Sequence, residues 1–465
     1  MRIMVRRLSL ALLACLVLAA CDEKDPPVPD SGNPGGDVVL SGGERIAWNQ
    51  LAGDVIQLAL LEYAIYVDGV RTPLTGVSCG TAQTEAGFDC SAALPAMTPG
   101  PHVLELASFV SGPLGPTESP RSVALRVVMT GVGAGGGVPP SRTVLTADGL
   151  SLQLEPVADG LQLPSDVAFA EDGTIFVAER GGTVRAIKQG ALVPDPALDL
   201  SGDIALPHGG LLAITLDPRF DETGFMYALW AADAPQGGLE FMLARFRGVE
   251  DRFGDRAMLL DRVPADAGGA SGTLRTGPDG KLFLALDSAA DGRAAGSLGS
   301  FNGKVLRLNV DATTPDDQPG FTPIYSLDHP QPTALDWQPA SGDLWVIDTV
   351  APSGGRLSAV TRQSPERGRR AVVRTSYELP QGTGASSAAF YRGKLMPAFR
   401  GNLFIAAEMG RELLRLQFDL ADASRVASVE RLLTDEIGPI RVVAEGRDGA
   451  IYLASDNALY KLKPR

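Results

Sequence analysis

Histidine is nearly absent: His102, His208 and His329 are the only three in a chain of 465 residues. A histidine-rich metal centre is excluded, and any imidazole base must be one of these three. Cysteine is equally scarce, with only Cys15, Cys21, Cys79 and Cys90. Positive charge is in deficit, since 41 Lys and Arg against 55 Asp and Glu leave a formal charge of -14. That balance argues against nucleic acid or anionic lipid as an electrostatic partner. A long apolar run is missing too: Leu8 to Ala20 is 13 residues, too short to cross a bilayer as a mature helix.

That run reads as a processing signal. Arg2, Arg6 and Arg7 make a basic start, and Leu18-Ala19-Ala20-Cys21 closes it with a tetrad that resembles a bacterial lipobox. Residues 1–20 are therefore expected to be a lipoprotein signal peptide. Cleavage before Cys21 and acylation of its thiol would anchor the chain to a membrane in the bacterial cell envelope. An ordinary secretory signal cut nearby is the alternative, and either implies export. Residues 21–43, rich in Pro, Gly and Asp, cannot build a core and read as a flexible tether with a reach of about 25 Å.

Residues 44–131 alternate in strand fashion, as in Tyr63-Ala-Ile-Tyr-Val-Asp-Gly and His102-Val-Leu-Glu-Leu-Ala-Ser-Phe. They resemble a fibronectin type III or immunoglobulin-like sandwich, a spacer or adhesion module. Its Cys79 and Cys90, an even pair in a short exported segment, are expected to form a disulfide. Residues 132–143 are a Gly/Pro linker by composition.

Beyond the linker a repeat emerges. Six times an apolar run follows a glycine, as in Asp172-Gly-Thr-Ile-Phe-Val-Ala and Asp279-Gly-Lys-Leu-Phe-Leu-Ala. The glycines are Gly173, Gly224, Gly280, Gly342, Gly401 and Gly449, at spacings of 51, 56, 62, 59 and 48. This is the period of four-stranded blades with loops. A second apolar segment precedes most copies, as a hairpin requires. The expected fold is all-β: a six-bladed β-propeller over 144–465, preceded by the small sandwich. Residues Leu150 to Val157 are expected to pair with the last blade and close the ring, leaving no open edges.

Gly160-Leu-Gln-Leu-Pro-Ser-Asp-Val-Ala-Phe, Gly209-Gly-Leu-Leu with Leu216-Asp-Pro-Arg-Phe, Gly303-Lys-Val-Leu-Arg-Leu-Asn and Phe399-Arg-Gly-Asn-Leu-Phe run in order through the propeller. Residues 150–465 thereby resemble the soluble quinoprotein sugar dehydrogenases, the glucose/sorbosone dehydrogenase family. The resemblance implies pyrroloquinoline quinone and calcium over the central opening, and oxidation of an aldose at C1. That chemistry needs a histidine base, cations for the cofactor's three carboxylates, and a divalent metal.

Several of these groups are not where the resemblance places them. Gly269 holds the position of the catalytic histidine and Thr273 that of an arginine. The Gly-His-Arg-Asn-Pro-Gln-Gly stretch becomes Asp328-His-Pro-Gln-Pro-Thr-Ala, keeping His329 but not the arginine. Met409 or Glu408 stands for a lysine, and of a late arginine pair Pro439 replaces one while Arg441 remains. No counterpart of the calcium loop occurs near Pro365 to Val373.

His208 is the candidate for a relocated base, and Arg441 and His329 are the candidates for cofactor contacts. Acids just past the repeated strands, Glu179, Asp287, Asp348, Glu408 and Asp456, could converge on the axis. Glu179, Asp287 and Asp456 are the candidates for a hard-cation site. Individual pairing of each acid within its own surroundings is the competing reading. Three functions stay open: a non-oxidising propeller that binds a carbohydrate or protein ligand, an active quinoprotein with a rebuilt site, and a metal-dependent lactonase-like hydrolase.

Overall fold

The computed structural model describes residues 3–5, 38–40, 45–59, 61–74, 77–84, 87–95, 97, 100–112, 115–129, 141–249, 252–318, 321–350, 354–361 and 372–465. Cys21, most of the 21–43 tether and most of the 132–143 linker lie outside these residues. The chain divides into two units, Met1–Gly137 and Val138–Arg465.

The first unit carries two sheets. One joins Ile3–Val5, Arg45–Gln50, Gly87–Ala93 and Ser78–Thr84; the other is built on Gly100–Gly112, flanked by Glu62–Val67 and Leu125–Met129. Side chains of both sheets share one core, in which Trp48 and Phe88 of the first meet Ile65, Leu104 and Leu106 of the second. Cys79 and Cys90 are directly opposite in the register of neighbouring strands and form a disulfide. His102 holds the Asp68 carboxylate through Nδ1 at 2.6 Å.

The second unit is built from six antiparallel sheets, here called blades one to six. Their first strands are Pro164–Phe169, Gly210–Leu216, Gly272–Thr276, Pro332–Trp337, Ala385–Phe390 and Val442–Glu445. These strands touch in a closed cycle, each against the next and blade six against blade one, which makes the unit a ring of blades around an axis. The second strands are Ile175–Glu179, Phe225–Asp233, Leu282–Leu286, Leu344–Val350, Leu403–Ala407 and Ile451–Ala454. All six are the glycine-led runs of the sequence.

The glycines have a conformational reason. All six lie at φ between +64° and +87°, the left-handed region that a tight turn or, at Gly224, a helix C-cap needs and that side chains resist. The runs after them are continuously apolar because both faces are covered. Every residue of Leu282–Leu286 and Leu403–Ala407 is buried, each blade packing against a neighbour on either side. The apolar clusters accordingly sit between blades. One joins Tyr227, Leu229 and Phe241 of blade two to Leu274 and Leu284 of blade three; another joins Trp345 and Ile347 of blade four to Phe390 and Ile405 of blade five.

Ring closure uses both ends of the unit. Ser151–Asp159 pairs antiparallel with the C-terminal strand Ala458–Pro464, and Arg142–Leu145 adds outside it. The hairpin between these two strands is latched to blade five. Asp148 accepts two hydrogen bonds from the buried Arg415 guanidinium, at 2.8 and 3.2 Å, and Glu430 accepts from both Arg415 and the Ala147 amide. The bonds from Arg415 and Thr146 hold the Asp148 carboxyl down at about 2.

Asp148→Ala is expected to lower the urea midpoint of the full chain, a loss of only about 1 kcal/mol of stability because solvent screens a partly exposed carboxylate. Because the folded value is depressed, this contribution is present above the ordinary 3.8 and is lost as pH falls through about 2. An unchanged midpoint at neutral pH would show that the latch contributes nothing to closure.

Candidate functional site

All six blades contribute to one cavity of about 410 Å³ on the axis, within the range of small-molecule sites. Its wall is set at two levels. The first strands, or the loops entering them, supply Pro164, Ser165 and Asp166 (blade one), Leu212 (two), Gly269 to Thr273 and Arg275 (three), Gln331 and Thr333 (four), Gly384 to Ser387 (five) and Arg441 (six). The ends of second strands supply Arg180, Thr349, Glu408 and Met409. The cavity therefore lies at the face where the glycine-led strands end.

The acids at those ends mostly turn away from it. Glu179 accepts hydrogen bonds from the Gln162 amide at 2.8 Å and from the Thr183 hydroxyl. Asp287 accepts from the amides of Ser271 and Ala289 at 2.8 Å and of Asp266 at 3.1 Å. Asp348 meets His329 Nδ1 at 3.1 Å and accepts from the Gln331 amide at 3.3 Å. These three carboxylates are buried, and each caps the loop that enters the first strand of its own blade. Asp456 binds Arg441 Nε at 2.6 Å, and Glu408, which does line the cavity, binds Arg441 Nη2 at 3.0 Å.

Convergence of Glu179, Asp287 and Asp456 on one cation is thus not observed. Among the described residues no group of three His, Cys, Asp or Glu is arranged to hold a metal. The physical reason is backbone desolvation: turning loops need acceptors for buried amides, and these acids serve that need. Successive residues of a strand point to opposite sides, so the residue after the acid reaches the axis instead. Arg180 follows Glu179 and Thr349 follows Asp348, and both line the cavity.

The histidines fare similarly. His329 is fully buried, with Nε2 at 2.8 Å from the Ser326 hydroxyl and Nδ1 on Asp348, so both ring nitrogens are occupied. It does not line the cavity, and a cofactor contact from it is not observed. His208 is exposed on the loop between blades one and two. Its carbonyl accepts from the Ala270 amide at 2.8 Å, which brings its backbone beside Gly269, yet its side chain is not part of the wall. Of the candidate cofactor contacts only Arg441 is found in the cavity.

Two arginines of the wall were not singled out from the sequence. Arg275 Nη1 binds Asp166 Oδ2 at 2.7 Å across 109 positions of sequence, and the same oxygen accepts from the Ile214 amide at 3.0 Å. Asp166 is fully buried; burial raises its pKa while Arg275 pulls it down. Arg180 is the other. Burial lowers its pKa, Glu408 opposes that shift and Arg441 adds to it. Its signal in the sequence was its place directly after a strand-end acid.

Pyrroloquinoline quinone and calcium, which the resemblance implies, do not fit the residues present. Three carboxylates would meet guanidinium groups of which Arg275 and Arg441 are already hydrogen-bonded to acids, and among the described residues no group of three His, Cys, Asp or Glu is arranged to hold a metal. Part of the Pro365 to Val373 stretch lies outside the described residues.

Comparison with known proteins gives a consistent picture. The family model described as glucose/sorbosone dehydrogenase matches residues 161–357 and 353–463. The aldose sugar dehydrogenase of Escherichia coli strain K12 is 24% identical over 363 residues, spanning 70% of this chain and 96% of that protein. Quinoprotein glucose dehydrogenase B of Acinetobacter calcoaceticus is 23% identical over 224 residues, 39% of this chain and 45% of that protein. Among solved structures, the PQQ-bound aldose sugar dehydrogenase of Streptomyces coelicolor superposes with a TM-score of 0.57 at 19% identity, covering 70% of this chain and 100% of that one. The apo-form soluble aldose sugar dehydrogenase of Escherichia coli gives 0.59 at 22% identity, with 68% and 100% covered. At those identities the two structures speak to the fold.

Burial pushes the Asp287 carboxyl up to about 6 against its amide donors. A raised folded value means a contribution that is present below 3.8 and lost as pH rises through about 6. Stability from this residue should therefore fall between pH 4 and pH 7. Asp287→Asn, compared with wild type by urea unfolding at both pH values, is expected to flatten that difference. Parallel pH dependences for the two proteins would refute the assignment.

Proposed function

The chain belongs to the glucose/sorbosone dehydrogenase family, and from that premise we propose that it is an exported, lipid-anchored member that binds a small polar ligand in its axial cavity without oxidising it. The observation that carries this reading is the wall beside Gly269. Where the resemblance implies a histidine base, the cavity has a glycine flanked by Ala270 and Ser271, and no histidine side chain lines it. Glycine cannot accept a proton from a hydroxyl, and general-base catalysis of hydride loss has no other imidazole in place. What the cavity offers instead is hydroxyl groups and guanidinium groups, a surface for recognition.

A second reading rests on His208. Its carbonyl accepts from the Ala270 amide, which holds its backbone next to the Gly269 loop. On that reading the site is a rebuilt oxidoreductase. A metal-dependent lactonase has less support, because it requires an acid cluster that the described residues do not form.

Anchoring rests on Arg2, Arg6, Arg7, the run Leu8 to Ala20, and Cys21. A membrane is the corresponding partner, with the fold held at the cell envelope through the acylated Cys21. The sandwich unit is assigned a spacer or adhesion role.

Purified full chain incubated with pyrroloquinoline quinone and calcium is expected to show no dye reduction with a panel of aldoses. Turnover that disappears in His208→Ala would establish the rebuilt site and end the non-oxidising reading. Palmitate labelling in a bacterial host should mark wild type and not Cys21→Ser; equal labelling would remove the lipid anchor.

A further inference from the structure

The axial cavity contains three guanidinium groups, and two are committed. Arg275 is bonded to Asp166, and Arg441 to Glu408 and Asp456. Arg180 differs: among the described residues none makes a hydrogen bond or ion pair with its side chain, although Glu408 and Arg441 act on it through space. Formal charge in this cluster balances, three cations against three carboxylates. Hydrogen-bond valence does not, because Arg180 lines the cavity with five side-chain donors and no acceptor for them among the described residues.

The position of Arg180 is built into the fold. Gly210 lies at φ +126°, and a Cβ there would fall 2.6 Å from Arg180 Nε and 2.7 Å from its Cδ. Only a glycine leaves the space in which the arginine stem lies. Blade two thus makes room for a guanidinium that blade one supplies, and nothing in the ring's own packing uses its donors.

The hydroxyl groups nearby have the opposite character. Ser271 donates to the Pro332 carbonyl and Ser386 to the Arg441 carbonyl, both at 2.7 Å. A hydroxyl whose proton is held by a backbone carbonyl presents lone pairs to a ligand. Such a wall matches a molecule rich in O–H donors. Arg180, a planar fork of donors, matches a carboxylate in bidentate fashion. Glu408, close enough to act on Arg180, disfavours a second negative charge on the same ligand.

We propose that this cavity takes a polyhydroxylated monocarboxylate, a sugar acid, with Arg180 holding the carboxylate and the serine hydroxyls receiving the ligand's O–H groups. The assignment rests on the non-oxidising ligand-binding reading above and narrows it to one ligand class.

Calorimetric titration of the detergent-solubilised full chain with D-gluconate, D-glucose and D-glucarate tests it. Gluconate is expected to bind about tenfold or more tighter than glucose, the scale of one charge-assisted bidentate contact. Glucarate, with a second carboxylate, should bind no tighter than gluconate. Arg180→Gln should abolish the preference for gluconate over glucose, and Arg180→Lys should keep part of it. Circular dichroism melting of each variant confirms an intact fold. Equal affinities for gluconate and glucose, a preference that survives Arg180→Gln, or no binding of either would overturn the proposal. Glucose bound as well as gluconate would leave the ligand-binding reading standing, whereas dye reduction would remove that reading whatever the acid preference.

Discussion

A buried carboxylate at the end of a second strand, turned toward the loop that enters the first strand of the same blade, is the constraint on which the cavity depends. Glu179 does this for Gln162, Asp287 for Asp266 and Ser271, and Asp348 for Gln331. Loops cannot be buried with unpaired amides, and a carboxylate cannot be buried without donors. Each group resolves the other's cost. The loops so held present Gly269, Ser271 and Gln331 to the axis, so the shape of the wall follows from a backbone requirement.

A second set of contacts ties blade to blade. Asp166 accepts the Ile214 amide of blade two and the guanidinium of Arg275 on blade three. Three blades on, Asp336 accepts the Phe390 amide of blade five and pairs with Arg392 at 2.7 Å. Ser387 and Val443 join blades five and six. Removing one member of such a buried pair leaves the other without compensation, a loss of about 3 to 5 kcal/mol where burial is complete. Apolar surface between blades supplies the attraction, and these directional bonds fix the spacing of the first strands around the axis.

The fold was legible because its signals are local. Gly173 through Gly449 mark hairpins by a conformation that sequence displays directly, and the closing segment alternates as Leu-Ser-Leu-Gln-Leu-Glu. The first strand of blade three was not singled out among the upstream apolar segments, for Gly272-Thr-Leu-Arg-Thr has a single large apolar residue, Leu274. The site was harder to read because its contacts are distant. The Asp166 to Arg275 pair spans 109 positions and the Asp148 to Arg415 latch spans 267. The strand-end acids were visible, but their direction was not. One residue decides whether a side chain faces loop or axis, and Glu179, Asp287 and Asp348 fall on the loop side while Arg180, Thr349 and Glu408 line the cavity.

Sorting polar groups by whether the ring needs them separates scaffold from function. Glu179, Asp287, Asp348 and His329 are satisfied within or between blades and would be required in any protein built this way. Arg275 is hydrogen-bonded to Asp166, and Arg441 to Glu408 and Asp456. After that subtraction the cavity retains the Arg180 donors, the acceptor faces of Ser271 and Ser386, and the open space beside Gly269. Those groups are donors and acceptors suited to oxygen atoms and a negative charge. A fold shared with sugar dehydrogenases thus carries an axial cavity whose wall is lined by arginines, serines and a glycine and by no histidine side chain.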